Sequence, residues 1–214
     1  MEPTSLLPSL LSTQTPLLPA PGVARVYLSA SWALVLAGLS VMLLQRRVAD
    51  RRVTRGLSLL LLLACLLPGM ASPAYWLGLA FRAPSLLSTL LCALVLLGHY
   101  RPQLAVSAWF DELRRWAPAF VPLGWVLLLD TLALSPFSLY ALGFAPLALG
   151  AAVLLGLLPW LLRRAWPLSA LIVTSCAVYV ILRLPSGNVW DALLDPWLWV
   201  VVQVDWARRL LRRH

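Results

Sequence analysis

The sequence predicts an all-α protein, a polytopic bundle of transmembrane helices, and three observations lead to this class. The first is composition, because 61% of the 214 residues are hydrophobic and only 12% are charged. Soluble domains average about 45–50% apolar and about 25% charged residues, and disordered chains have low hydrophobicity, so both classes are excluded. The second is a series of long apolar segments, and the third is the distribution of arginines between them.

The apolar segments predict about seven membrane crossings. A spanning helix needs roughly 20 apolar residues, with a range of about 17 to 25. Cutting the chain at charges and at Pro/Gly clusters leaves seven such segments, at about 23–44, 57–75, 84–100, 118–135, 138–162, 167–182 and 189–206. Pro68 and Gly69 predict a kink in the second. The last segment carries three aspartates, so an interfacial helix with six crossings is the alternative.

The arginines predict the orientation of the bundle. All 17 basic residues are arginine, and loops that stay in the cytoplasm are enriched in Lys and Arg. Fourteen lie in alternate loops or after the last segment, and only Arg25, Arg82 and Arg183 lie on the other side. We therefore expect an external N-terminus and a cytoplasmic C-terminus. The arginines expected to meet lipid headgroups are Arg46, Arg47, Arg51, Arg52, Arg208, Arg209, Arg212 and Arg213.

This topology also accounts for the net charge of +9 without a nucleic-acid partner. Residues 1–22 are interrupted by prolines and predict an irregular external arm, whereas residues 23–214 form a single transmembrane domain. Residues 104–116 predict an amphipathic helix on the cytoplasmic surface, which either anchors the chain to the membrane or docks a partner. Its apolar side carries Trp109, Phe110, Leu113 and Trp116.

No motif for catalysis, a cofactor or a metal is present in the sequence. Cys65, Cys92 and Cys176 each lie within an apolar segment, without the spacing of a zinc site or a disulfide framework. His99 ends the third segment, where we interpret it as a solvated or hydrogen-bonded side chain rather than a ligand. These observations predict a protein that is not an enzyme and that has neither a cofactor nor a metal site.

Carboxylates within the apolar segments are the candidate functional residues, because ionisable groups at membrane depth are costly to keep there. Asp130 lies within an apolar run, where it is either a structural hydrogen-bonding partner or a group that handles protons or ligands. Asp191 and Asp195 are four residues apart and share a helix face, which suits a cation site or a proton relay. Asn188 precedes Asp191 by three residues, and this spacing also suits a helix N-terminus.

One stretch of the chain resembles a known family. Residues 127–142 read LLLDTLALSPFSLYAL, and the third segment ends in Tyr100-Arg101-Pro102. This pattern is similar to the MreD family of bacterial rod-shape-determining inner-membrane proteins, which has an Asp-Leu-Leu run, a Ser-Pro turn and a Gly-Leu-x-Ala-Leu helix start. Ser138 stands where the family usually has glycine. The resemblance implies a non-catalytic inner-membrane subunit, with Asp130 and the Ser135-Pro136 turn as the residues that transfer.

Three classes of function follow. The first is a scaffold or accessory subunit of a multiprotein complex in the bacterial inner membrane, with membrane lipids and other inner-membrane proteins as partners. The second is a small proton- or ion-coupled transporter or channel that uses the intramembrane aspartates. An enzyme that acts on lipid is the weakest of the three, because no nucleophile, base and orienting group can be assembled from these segments.

Overall fold

The computed structural model describes residues 17–45, 47, 50–104, 106–136, 138–163 and 166–212, and within these ranges the protein is all α-helical, as predicted. No strand occurs in the described ranges, and one 3-10 turn covers Gly69–Ala71. The predicted headgroup residues Arg46 and Arg213, and residues 1–16 of the predicted arm, lie outside them. The helices are α1 Pro21–Leu44, α2 Arg51–Cys65, α3 Pro73–Phe81, α4 Leu86–Tyr100, α5 Ser107–Thr131, α6 Leu139–Leu142, α7 Pro146–Arg163, α8 Trp166–Leu182, α9 Val189–Leu193 and α10 Pro196–Leu211.

One described helix, α1, has both the length and the apolar composition that a membrane crossing requires. Helices α4 and α8 and the part of α7 from Leu147 to Arg163 are apolar but shorter than 18 residues. The remaining predicted crossings are interrupted or carry charge in the structure. A bundle of seven crossings therefore stays a prediction.

The second predicted segment is broken in two. Helix α2 ends at Cys65, and α3 begins at Pro73 after the turn at Gly69–Ala71. Ser72 connects the two helices, because its hydroxyl donates to the Cys65 carbonyl at 2.8 Å and accepts from the Ala74 N–H at 3.2 Å. The kink predicted from Pro68 and Gly69 is thus a complete interruption, with a serine as the N-cap of the second part.

The last predicted segment is also interrupted. The structure divides 189–206 into α9 and α10, with Leu194 and Asp195 between them in extended backbone. Asn188 is the N-cap of α9, as its spacing predicts, and its side chain accepts from the Trp190 N–H at 2.9 Å. A single uninterrupted crossing at this place is therefore not what the structure shows.

The fourth predicted segment and the predicted surface helix form one continuous helix, α5, so the predicted boundary near residue 117 is wrong. Pro118 lies inside this helix and has no N–H to donate to the Arg114 carbonyl. The Arg209 guanidinium of α10 donates to that carbonyl at 3.0 Å instead. The side chain of Arg209 thus supplies the donor that Pro118 lacks, and the helix continues through the proline.

The apolar side of this helix contacts the protein's own interior. Leu113 is buried in the largest core cluster, and Trp109, Phe110 and Trp116 pack against it. The rings of Trp109 and Trp166 lie 5.2 Å apart, which joins α5 to α8. Leu113 is therefore not available at a surface, whereas Trp109, Phe110 and Trp116 are half-buried, and their contact with a partner or a membrane stays a prediction.

The helix ends define two distinct ends of the bundle. At one end, which we call the arginine end, the termini of α1, α2, α4 and α5 surround a common pocket. The Arg55 guanidinium lies 3.5 Å from the His99 carbonyl there, and Arg209 reaches Arg114. The other end holds the connections that follow α5 and α8.

Candidate functional site

A network of polar side chains joins the connections at the end opposite the arginine end; we call it the polar joint, and its members are Asp130, Tyr140, Ser186, Asn188 and Asp191. Tyr140 lies at its centre. The Tyr140 N–H donates to Asp130 Oδ2 at 2.6 Å, and the Tyr140 hydroxyl donates to Asp191 Oδ2 at 2.9 Å. The Ser186 hydroxyl donates to the same oxygen of Asp191. Two predicted candidates, Asp130 and Asp191, are thus joined through one tyrosine.

Asn188 is the buried member of the polar joint and connects α6 to the start of α9. Its side chain is fully buried, and its amide donates to the Tyr140 carbonyl at 2.9 Å while its oxygen caps α9. The Val189 N–H donates to the Gly143 carbonyl at 3.0 Å. A Cβ atom on Gly143 would lie 1.9 Å from Asn188 Oδ1, so only glycine allows this approach.

Asp195 belongs to a second connection. Its side chain is buried, with 8% of its surface exposed. One carboxylate oxygen accepts from the Leu198 N–H at 2.7 Å and so caps α10, and the other accepts from the Ser85 N–H at 2.9 Å before α4. Asp195 therefore joins the starts of two helices that are about 110 residues apart in the chain. It does not share a helix face with Asp191 as predicted, because α9 ends between them.

The three carboxylates therefore have the same chemical role in the structure: each accepts hydrogen bonds from backbone N–H or hydroxyl groups where a helix begins or ends. Acceptors at such places satisfy donors that the helices leave unpaired. Within the described ranges, no group of three or more His, Cys, Asp or Glu side chains is placed to hold a metal ion. The arrangement favours a fixed geometry of the connections.

Sequence reasoning missed Tyr140 and Ser186 as members of the polar joint, and Gly143 as the residue packed against Asn188. The available signal was the pairing of polar residues with Pro and Gly in the two connections, at Ser135-Pro136 and Pro185-Ser186-Gly187. Such clusters mark turns, but they do not indicate which turns meet. The hydrogen bond from Tyr140 to Asp191 spans 51 residues of chain, and no local pattern predicts it.

The predicted headgroup residues lie near the arginine end. Arg47, Arg51 and Arg52 are exposed around the start of α2, and Arg208 and Arg212 are exposed at the end of α10. Arg209 is half-buried and pairs with Asp205 at 3.1 Å, in addition to its bond with the Arg114 carbonyl. It is thus part of the contact between α5 and α10 rather than a free headgroup contact.

Comparison with protein-family models, with curated proteins and with solved structures gives no match for this chain. The resemblance to the MreD family consequently stays a prediction from the residues around Asp130. The structure adds that Asp130 lies next to the last residue of α5 and not in the middle of a helix.

Proposed function

We propose that this protein is a non-catalytic scaffold or accessory subunit of a multiprotein complex in the bacterial inner membrane, with about seven crossings and a cytoplasmic C-terminus. The observation that carries the proposal is the use of Asp130, Asp191 and Asp195. Each of these carboxylates accepts hydrogen bonds that fix a connection between helices. Ionisable groups are costly to keep at membrane depth, and here they fix the geometry of the connections between helices. This use suits a protein that presents a defined surface.

Two features support the membrane placement. The sides of the helices expose large apolar side chains, such as Leu154 with 68% and Ile181 with 77% of their surface. Soluble monomers rarely expose contiguous apolar patches of more than a few hundred Å².

The second feature is the position of the arginines that the sequence predicts to be cytoplasmic. Arg51 and Arg114 line one pocket, and Arg55 lies beside it, so these arginines are at the same end of the protein. This is the charge asymmetry expected of an inserted bundle.

The experiment is isolation of the tagged chain in mild detergent, followed by size-exclusion chromatography and native mass spectrometry. We expect it to migrate with another inner-membrane protein at a fixed stoichiometry. An unrelated multi-pass protein of similar size, isolated in the same way, controls for incidental association. A chain that is always monomeric in detergent and in native membranes would contradict the scaffold proposal.

A proton- or ion-coupled transporter is the second candidate, and one observation favours it. The Tyr140 and Ser186 hydroxyls and the Asp191 carboxylate form a series of side-chain groups of the kind that passes a proton, and Asp130 lies beside it, bonded to the Tyr140 backbone N–H. Asp130→Asn distinguishes the two candidates, because asparagine still accepts from the Tyr140 N–H but cannot carry a proton. Loss of proton-linked flux in vesicles with retained assembly would favour the transporter, and the scaffold proposal expects no such flux.

A further inference from the structure

The pocket at the arginine end has a volume of about 770 Å³. This lies within the range of about 300–1,000 Å³ that is typical of small-molecule sites. It opens where α1 and α4 end and where α2 and α5 begin. Its polar lining includes Arg51, Thr54, His99, Ser107, Asp111 and Arg114.

The charges around the pocket favour an anion. Arg51 is exposed and forms no ion pair with any described residue. Arg114 shares its charge between Asp111, at 3.4 Å, and Asp205, at 3.4 Å. The only carboxylate in the described lining, Asp111, is thus already next to an arginine, and the charge of Arg51 is left uncompensated.

Hydrogen-bond donors in the lining also lack acceptors. Helix α5 begins at Ser107 beside the pocket, and its N-cap residue Val106 provides no side-chain hydrogen bond. The first N–H groups of a 25-residue helix carry partial positive charge and bind anions readily. An acceptor in the pocket would satisfy these N–H groups.

We propose that this pocket binds the phosphate group of an anionic phospholipid, with Arg51 as its main charged contact and with the first N–H groups of α5 as donors. Arginine suits this role because its planar guanidinium matches phosphate geometry with two parallel hydrogen bonds. The inference rests on the proposed membrane placement, which puts the arginine end at the cytoplasmic headgroup level. Basic pockets between helices on that side bind anionic headgroups.

The apolar part of the lining favours a lipid over free phosphate. Met42, Val95, Leu104 and Phe110 line the same pocket as the arginines. A soluble phosphate would leave the parts of these side chains that face the pocket in contact with water. The glycerol and first methylene groups of a lipid would cover them while its phosphate meets Arg51.

The test measures lipid binding to the full chain by native mass spectrometry in detergent micelles, with phosphatidylglycerol, phosphatidylcholine and soluble glycerol phosphate as probes. We expect phosphatidylglycerol to bind in preference to phosphatidylcholine, and Arg51→Gln to weaken its binding about tenfold. Arg101→Gln is the matched control, because Arg101 is exposed at the same end of the protein and does not line the pocket. It should bind like the wild type.

Equal losses in Arg51→Gln and Arg101→Gln would overturn the proposal, because binding would then reflect diffuse surface charge. Equal binding of the two lipids would overturn it as well. If glycerol phosphate displaced the lipid at similar concentrations, the ligand would be a soluble phosphate compound and not a lipid. Extraction of the membranes with alkaline carbonate tests the proposed membrane insertion independently of lipid binding. A chain that stays in the membrane but binds no lipid contradicts only the pocket.

Discussion

Tyr140 and Asp191 are joined by a hydrogen bond of 2.9 Å from the phenolic hydroxyl to Oδ2, although they lie 51 residues apart in the chain. Through this bond, the short helix α6 is tied to α9, and the Tyr140 N–H ties both to Asp130 at the end of α5. Three helices, α5, α6 and α9, are thus linked by one tyrosine side chain and its backbone.

Tyr140→Phe removes one donor to a carboxylate and should destabilise the fold by about 1–3 kcal/mol. Thermal unfolding in detergent, followed by circular dichroism, measures the effect. Tyr75→Phe is the control, since Tyr75 is 40% exposed and its hydroxyl forms no hydrogen bond with a described residue. Equal stability of the two variants would show that the bond to Asp191 contributes nothing.

Asp191 offers a test of the same network from its acceptor side. Asp191→Asn keeps an oxygen that can accept from Tyr140 or Ser186, whereas Asp191→Ala leaves both hydroxyls without this acceptor. We expect the alanine variant to be the less stable by about 1–3 kcal/mol. The midpoints of thermal unfolding compare the two variants directly. If alanine and asparagine behave alike, Asp191 does not hold the joint by accepting hydrogen bonds.

Gly143→Ala should be among the most damaging single methyl additions in the chain. The new Cβ would lie 1.9 Å from Asn188 Oδ1, and Asn188 is fully buried. Relief of this overlap must displace the asparagine that caps α9, so we expect a loss of about 3 kcal/mol or more. The yield of folded protein in membranes and the unfolding midpoint both report it.

Gly150→Ala is the control for that substitution, because no atom lies within 4 Å of its added Cβ and the residue is in helix α7. Alanine favours helices over glycine by about 1 kcal/mol, so this variant should be as stable as the wild type or more stable. A Gly143→Ala chain that unfolds at the wild-type midpoint would contradict the close approach of Gly143 and Asn188.

The proposed orientation predicts which engineered cysteines an impermeant maleimide reaches in intact cells. Ser138 lies in the connection near the polar joint, and Gln103 lies at the arginine end, and both are exposed. Ser138→Cys should be labelled in intact cells, and Gln103→Cys only after the membrane is permeabilised. The native Cys65 and Cys176 are buried and should stay unlabelled. Labelling of Gln103→Cys alone in intact cells would reverse the orientation.

Hydropathy located most of the helices because an apolar run of sufficient length is a local property. Helix α1 matches the predicted segment 23–44 closely, and α4 and α8 begin and end within two residues of their segments. The interruptions were harder to predict. Leu194 and Asp195 break the last segment because Asp195 caps α10 and binds the Ser85 N–H, and Ser85 is distant in the chain. Partners that are remote in sequence decide where these helices stop.

The same limit explains the error at Pro118. Proline inside an apolar pattern predicts a helix boundary, because it removes a hydrogen bond and crowds the preceding turn. In α5 the lost donor is replaced by Arg209, which is 95 residues from the carbonyl that it reaches. Pro159 in α7 is a related case, since the next residue, Trp160, donates its N–H to the Ser169 hydroxyl of α8 at 3.1 Å.

A double-mutant cycle tests whether Arg209 compensates for Pro118. Arg209→Ala leaves the Arg114 carbonyl without its guanidinium donor and breaks the ion pair with Asp205, so it should cost about 1–3 kcal/mol. In a Pro118→Ala background, the alanine N–H can donate to the same carbonyl. The cost of losing Arg209 should then fall by about 1 kcal/mol. Unfolding of all four chains in detergent measures this coupling.

Arg208→Ala is the control for charge, because Arg208 is exposed at the adjacent position and forms no ion pair within the described ranges. It should leave stability unchanged in both backgrounds. The ion pair between Arg209 and Asp205 is lost equally on both sides of the cycle, so only the carbonyl of Arg114 can produce a difference between them. An equal cost of Arg209→Ala with and without Pro118 would mean that the guanidinium does not replace the N–H that proline lacks.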